Sequence, residues 1–157
     1  MSVVILINTY DLLLEKIDSI KAEIRANSIK IEKAADFGDL KENAEYKTAK
    51  ENQEFLFNKL SRFEQYLNCR IVDGKNVNSD TVAFGTSVKI VENKSGIIQK
   101  YNILGPVEFE LESMPDIVTY TSPLAKMVIG KKIGEEVEIQ MRNSVDSLKI
   151  LEIEPIL

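Results

Sequence analysis

Two heptad stripes on either side of one acidic stretch constrain this chain more than any other feature. Apolar residues recur at alternating steps of three and four through Tyr10, Leu13, Ile17, Ile20, Ile24, Ile31 and Ala34, and Asn27 fills the one gap in the series. A second stripe runs through Tyr46, Ala49, Gln53, Leu56, Leu60, Phe63 and Leu67, again with one polar member, Gln53. That spacing keeps a narrow seam on one side of a helix, so each helix needs a partner along its whole length. Between Ala34 and Tyr46 stand only residues 35–45, nearly all of them in the stretch DFGDLKENAEY, residues 36–46. A connection this short brings the second helix back against the first as an antiparallel hairpin. Helices of about 27 residues, rising about 1.5 Å per residue, make a rod roughly 40 Å long. Asn8 or Thr9 is the expected N-cap of the first helix. The apolar run from Val3 to Ile7 has no basic residue before it and is too short to cross a bilayer, so it reads as a buried lead-in.

The periodicity changes after Asp73-Gly74. GKNVNSD has the composition of a turn or linker. Beyond it Val88 and Ile90 alternate, Asn93–Gly96 marks a turn, and Ile98 to Ile103 is β-branched. Gly105-Pro106 makes a break. Val137, Ile139 and Met141 alternate, and Leu148 to Ile153 forms a last apolar strand. Within SPLAKMVIGKKIG a short helix is expected, with Ser122 as N-cap, Pro123 at its first position and Gly130 after its end. The spacing therefore predicts an α+β chain: a long N-terminal antiparallel helical hairpin over residues 1–73, a linker over 74–80, and a small antiparallel sheet with one short helix over 81–157.

Composition limits the chemistry. The 157 residues include no histidine, which removes the usual general base and most transition-metal sites. Cys69 is the sole cysteine, so there is no disulfide framework, and a reducing cytoplasm fits. A formal charge of -5 argues against a protein whose whole body grips nucleic acid phosphates. Carboxylates, lysines and hydroxyls are what remains.

The carboxylates concentrate between the helices. Asp36, Asp39, Glu42 and Glu45 lie three apart around Gly38. Asp39 and Glu42 have the spacing of a capping box, with aspartate in place of serine or threonine. Capping does not ask for Asp36 or Glu45. An exposed acidic turn is a weak Mg²⁺ site alone, because that ion prefers six oxygens in octahedral array and keeps its waters. It can complete a site that another protein has half built, as in a two-metal phosphoryl-transfer centre.

GDLKENAEY, residues 38–46, together with Lys50, resembles the hairpin-tip signature of the bacterial GreA/GreB transcript-cleavage factors, and of the two it sits closer to GreA. YNILGPVEFE, TSPLAKMVIGKKIGEEVEI and the closing strand resemble that family's FKBP-like C-terminal domain. The resemblance implies an accessory factor, not an enzyme, that binds bacterial RNA polymerase through its C-terminal domain. Its coiled coil would enter the secondary channel and stimulate the polymerase's own cleavage of backtracked RNA. By the same resemblance Asp39 would help hold a second Mg²⁺ shared with polymerase, and Glu42 would position or activate the attacking water. No metal is expected to bind the isolated protein tightly. Ser122 and Pro123 fall in the family's polymerase-contact region, and the factor is expected to be a cytoplasmic monomer. Contact with the RNA 3′ end, and with the DNA of the transcribing complex, goes with the family. One departure concerns that contact. The family's arginine four residues before the tip aspartate is here Ala35, while Lys50 keeps the second basic position, and Lys30, Lys33 and Lys47 are candidates to replace the lost cation.

Two other functions are compatible with the pattern. One is a regulator that occupies the channel without stimulating cleavage, which the Asp39/Glu42 pair disfavours and Ala35 favours. The other is a prolyl isomerase with a helical arm, for which Phe84, Tyr101, Phe109 and Tyr120 supply the aromatics and no tryptophan is available.

Overall fold

The computed structural model describes residues 3–36 and 43–156. By internal packing the chain divides into two units, Asp11–Asn68 and a second made of Met1–Tyr10 with Cys69–Leu157.

The first unit is the hairpin. Helix α1 runs Ile7–Ala35 and α2 runs Ala44–Gln65, 29 and 22 residues long. α1 starts at Ile7, ahead of the expected cap at Asn8 or Thr9. Seam residues Leu13, Ile17, Ile20 and Ala34 of α1 are buried, as are Ala49, Leu56 and Phe63 of α2. The helices are antiparallel, as their cross-links show. Asn27 bonds Gln53 at 2.8 Å and Ala34 accepts from Asn43 at 2.7 Å, so one partner's number climbs as the other's falls. Leu67, which continues the seam in the sequence, lies past the end of α2 and is exposed. None of the described helices is long and apolar enough to cross a membrane.

The second unit is built on a five-stranded sheet. In chain order its strands are β3 (Thr86–Glu92), β4 (Ile98–Leu104), β5 (Ile117–Thr119), β6 (Glu136–Gln140) and β7 (Val145–Pro155), arranged β5-β4-β3-β7-β6. β3 pairs antiparallel with β4 and β7, and β6 with β7, but β4 and β5 run parallel. The sheet is therefore mixed, not wholly antiparallel as the alternation suggested. A parallel partner needs a crossover, and helix α3 (Pro106–Glu110) lies in it. Two short helices are present where one was expected. α3 begins at the Gly105-Pro106 step: Gly105 is its N-cap, Pro106 its first residue, and the backbone N–H of Gly105 donates to Glu108 Oε1 at 3.1 Å. A Cβ at Gly105 would sit 2.9 Å from the Tyr120 ring and 3.0 Å from the Val4 carbonyl, so only glycine fits that approach.

Helix α4 (Pro123–Val128) packs Val128 into a core with Val82, Val88, Ile90, Ile103, Ile150 and Ile153. Val88 and Ile90 share a face by period-two alternation along β3. Ile150 and Ile153, three apart on β7, both pair with that face because the β3–β7 register shifts between Lys89 and Ile90. A smaller cluster joins Leu6, Leu104 and Ile156. The apolar lead-in proves to be a strand: β1 (Val3–Leu6) pairs parallel with β2 (Cys69–Val72), in register Val3 to Cys69 through Leu6 to Val72. The two chain segments that flank the hairpin are thereby clipped together. Within the expected linker, Gly74–Asn76 forms a 3-10 turn that Asp73 caps through Lys75 N–H at 3.0 Å.

Candidate functional site

The closed end of the hairpin is approached by α1 through Ala35 and left by α2 from Asn43. Asp39 and Glu42 lie outside the described residues. What the structure places is the base that carries them. Asn43 is the N-cap of α2: its Oδ1 accepts from Tyr46 N–H at 3.1 Å while its Nδ2 donates to the Ala34 carbonyl at 2.7 Å. One side chain thus satisfies an orphan donor at the start of α2 and an orphan acceptor near the end of α1. The capping box expected of Asp39 and Glu42 lies outside the described residues, and the cap seen at the start of α2 is Asn43. An asparagine donates as well as accepts, so the same side chain also bonds across the hairpin.

The lysines divide between two surfaces. Lys30 and Lys33 line a groove of about 680 Å³ with Asn27, Ala34, Ala44, Glu45, Thr48, Ala49 and Asn52. Lys47 and Lys50 line a separate groove with Glu51, Glu54, Phe57 and Asn58. At 100° per residue, positions 45, 48 and 52 fall on one flank of the α2 seam and 47, 50, 54 and 58 on the other. Lys33 is therefore not brought together with Lys47 and Lys50. Lys50 lies over the Tyr46 ring with its Nζ 6.0 Å from the centroid, which anchors its stem beside the seam. Ala35 is half-buried and leaves no cation next to it in the sequence.

Behind the closed end a polar layer crosses the seam. Asn27 is 4% exposed; its Nδ2 donates to the Ala49 carbonyl at 2.9 Å and to Gln53 Oε1 at 2.8 Å. Asn52 Nδ2 donates to Asn27 Oδ1 at 3.1 Å, and Gln53 Nε2 to Ser28 Oγ at 2.9 Å. The sequence marked Asn27 and Gln53 as polar seam positions but did not reveal that they face each other.

In the other unit Ser122 caps α4, accepting from Ala125 N–H at 3.2 Å, and Pro123 is exposed at the first position. Ala125 and Val128 point into the core, so Pro123, Lys126 and Met127 are the residues α4 presents outward. The aromatics do not form one pocket. Phe84 packs by Leu6, Leu104 and Ile156, while Phe109 is 60% exposed. A cavity of about 120 Å³ on the sheet has Tyr101 as its one aromatic, alongside Ile90, Glu92, Ile97, Gln99 and Leu148. That is well below the roughly 300 Å³ at which small-molecule pockets begin. Burial raises the Tyr101 hydroxyl above its ordinary pKa, with the charges of Glu92 and Asp116 adding to the effect. Burial also raises the Cys69 thiol, opposed by a backbone hydrogen bond and assisted by the charge of Glu108. Neither group is set up as a nucleophile.

Comparison with known proteins decides the family. The family profile described as "Transcription elongation factor, GreA/GreB, C-term" matches residues 77–155, and "Transcription elongation factor, N-terminal" matches residues 3–71. The chain belongs to the GreA/GreB family. Relatives named transcription elongation factor GreA include that of Syntrophus aciditrophicus, 35% identical over 100 residues, which are 63% of this chain and 61% of the relative. The GreA of Nautilia profundicola is 38% identical over 88 residues, 55% of this chain and 50% of the relative. The matched stretches thus span about half to six-tenths of the curated relatives' own length. Among solved structures, the GreA factor homolog 1 protein of Thermus thermophilus aligns over 98% of this chain and 99% of its own, at 14% identity and a TM-score of 0.44. None of these likenesses supports a DNA-binding surface, and that expectation is dropped. Among the described residues no group of histidine, cysteine, aspartate or glutamate is arranged to hold a metal ion.

Proposed function

We propose that this GreA/GreB-family chain is an accessory elongation factor that stimulates the cleavage activity of bacterial RNA polymerase on backtracked RNA. One observation carries the reading: the family-signature stretch GDLKENAEY falls in the sequence between the two long helices of a hairpin, in a chain both of whose halves match the family. In this reading residues 81–157 bind polymerase, with Ser122 and Pro123 at the contact. Residues 74–80 link them to the N-terminal segment of residues 1–73, whose hairpin enters the secondary channel with its acidic end first.

The donor set fits a shared Mg²⁺. Asp39 and Glu42 offer hard oxygen ligands, but two carboxylates fall short of an octahedral shell, so polymerase must contribute the rest. When bound, the ion would neutralise charge building on the attacked phosphodiester and on the water oxygen. Asp39 would hold the ion, and Glu42 would accept a hydrogen bond from the water and take its proton. Lys47 and Lys50, on one flank of α2, would meet the RNA backbone, with Lys33 reaching anions only on the other flank. Asp39→Asn and Glu42→Gln are each expected to lower RNA cleavage at least 100-fold in stalled complexes while binding to polymerase is kept. Wild-type cleavage rates in both variants would remove the acids from the chemistry.

A second reading rests on Ala35 and the division of the lysines. Without one continuous basic surface the factor would occupy the channel and compete with other occupants instead of promoting cleavage. Full-length protein that binds polymerase and slows its intrinsic cleavage would establish that version.

A further inference from the structure

Toward its closed end the hairpin combines small buried apolar side chains with a cluster of cross-helix hydrogen bonds. Toward the root the buried seam residues are large: Leu13, Ile17, Ile20, Leu56 and Phe63. Toward the closed end the buried ones are Ala34 and Ala49, with Ile31 and Tyr46 only half-buried, and the 680 Å³ groove opens beside the two alanines. Alanines fit many offsets of one helix against another, so they specify register weakly. The polar layer divides these two regions. Asn27 uses both hydrogens of its amide, to the Ala49 carbonyl and Gln53 Oε1, and its oxygen accepts from Asn52. Gln53 passes the chain to Ser28, whose hydroxyl donates to the Ile24 carbonyl at 2.9 Å.

Such a network has one good offset. Sliding α1 by one turn along α2 would carry the buried Asn27 amide away from Gln53 and Asn52 and strand it unpaired in the seam. Apolar side chains in its place would tolerate the slide, which is how single polar residues set register in coiled coils. We propose that the Asn27–Gln53 layer, with Asn52 and Ser28, is the register lock of the hairpin and a positioning element for the closed end. Its functional half rests on the cleavage reading above. The lock fixes how far Ala35 and Asn43, which flank the acidic stretch, stand from the root of the rod. The bond from Asn43 to the Ala34 carbonyl then keeps those two ends level.

The test uses the full-length chain with nitroxide labels at Glu32→Cys and Glu51→Cys in a Cys69→Ser background. The native layer is expected to give one narrow interlabel distance. Asn27→Leu/Gln53→Leu is expected to broaden it or shift it by about one helical pitch, ~5 Å, with a melting temperature equal to or above the native one. In unlabelled protein the same pair of substitutions should lower the RNA cleavage rate at saturating factor at least tenfold. The factor concentration giving half the maximal rate should stay within twofold. The amide exchange Asn27→Gln/Gln53→Asn should recover part of the rate, which a role in stability alone would not require. An unchanged distance distribution in the leucine variant overturns the lock, whatever cleavage does. A shifted distribution with undiminished cleavage overturns the positioning role. Should the native chain stimulate no cleavage, the functional reading fails while the distances still decide the lock. If the leucine pair does not fold, Asn27→Ala removes all three bonds without adding bulk and is read in the same way.

Discussion

Glu108 shows how much one side chain can hold. It is fully buried, and its two oxygens accept from two backbone donors, Gly105 N–H at 3.1 Å and Leu6 N–H at 3.3 Å. It therefore caps α3 and fixes the end of β1 at once. Glu108→Ala would orphan both donors in a site closed to water and should cost about 3 kcal/mol in urea unfolding. Glu108→Gln, which keeps one acceptor, should cost about half as much, and equal losses would show that the two bonds do not carry the effect. Asn43 plays the corresponding part at the hairpin's closed end, and Asn43→Ala should cost about 1–2 kcal/mol, a cap with one further bond. A Tm unchanged by that substitution would contradict the geometry. For Cys69, a raised pKa means that the thiolate forms later than in a free cysteine. Its alkylation rate should still be climbing at a pH where that of a cysteine peptide has levelled. The same sign holds for stability. The unfolded chain loses the proton first, so the contribution is present at neutral pH and fades as pH rises into the alkaline range.

At the scale of elements, what could be read depended on whether the cause was local. The seam of α1 and α2 was legible because a step of three and four needs nothing beyond the helix itself. The face formed by Val88, Ile90, Ile103 and Ile150 followed from alternation in the same way. α3 was not recognised, although Gly105-Pro106 followed by Glu108 is a helix-start signal, a capping glycine with glutamate at N3. β5 has three residues and β1 four, too few for any period to show. Both pair parallel with partners whose identity only the assembled chain supplies. The candidate site divides along the same line. The acidic stretch stood out by composition. The division of Lys33 from Lys47 and Lys50 was encoded in their phase relative to the seam, a signal present in the sequence but needing both helices in register to be used. That Asn43 caps α2 could not be read in advance, because several capping residues stand close together before the helix.

At the scale of the whole molecule, family membership and the acidic stretch point to the same work, and the two units divide it. The second unit offers an exposed Pro123, Lys126 and Met127 on a helix whose other side is locked into the core. The hairpin carries the carboxylates on a base tied together by Asn43 and the Asn27 layer. In the proposed reading the metal and the RNA substrate both come with polymerase, and the chain itself contributes carboxylates and lysines, since it has no histidine. The most direct measurement is to add the protein to a stalled bacterial polymerase–DNA–RNA complex with Mg²⁺ and follow the length of the RNA. The account predicts shortening from the 3′ end, at least tenfold faster than in polymerase alone and abolished by chelating the Mg²⁺. RNA that stays at its stalled length while the protein is demonstrably bound would contradict it.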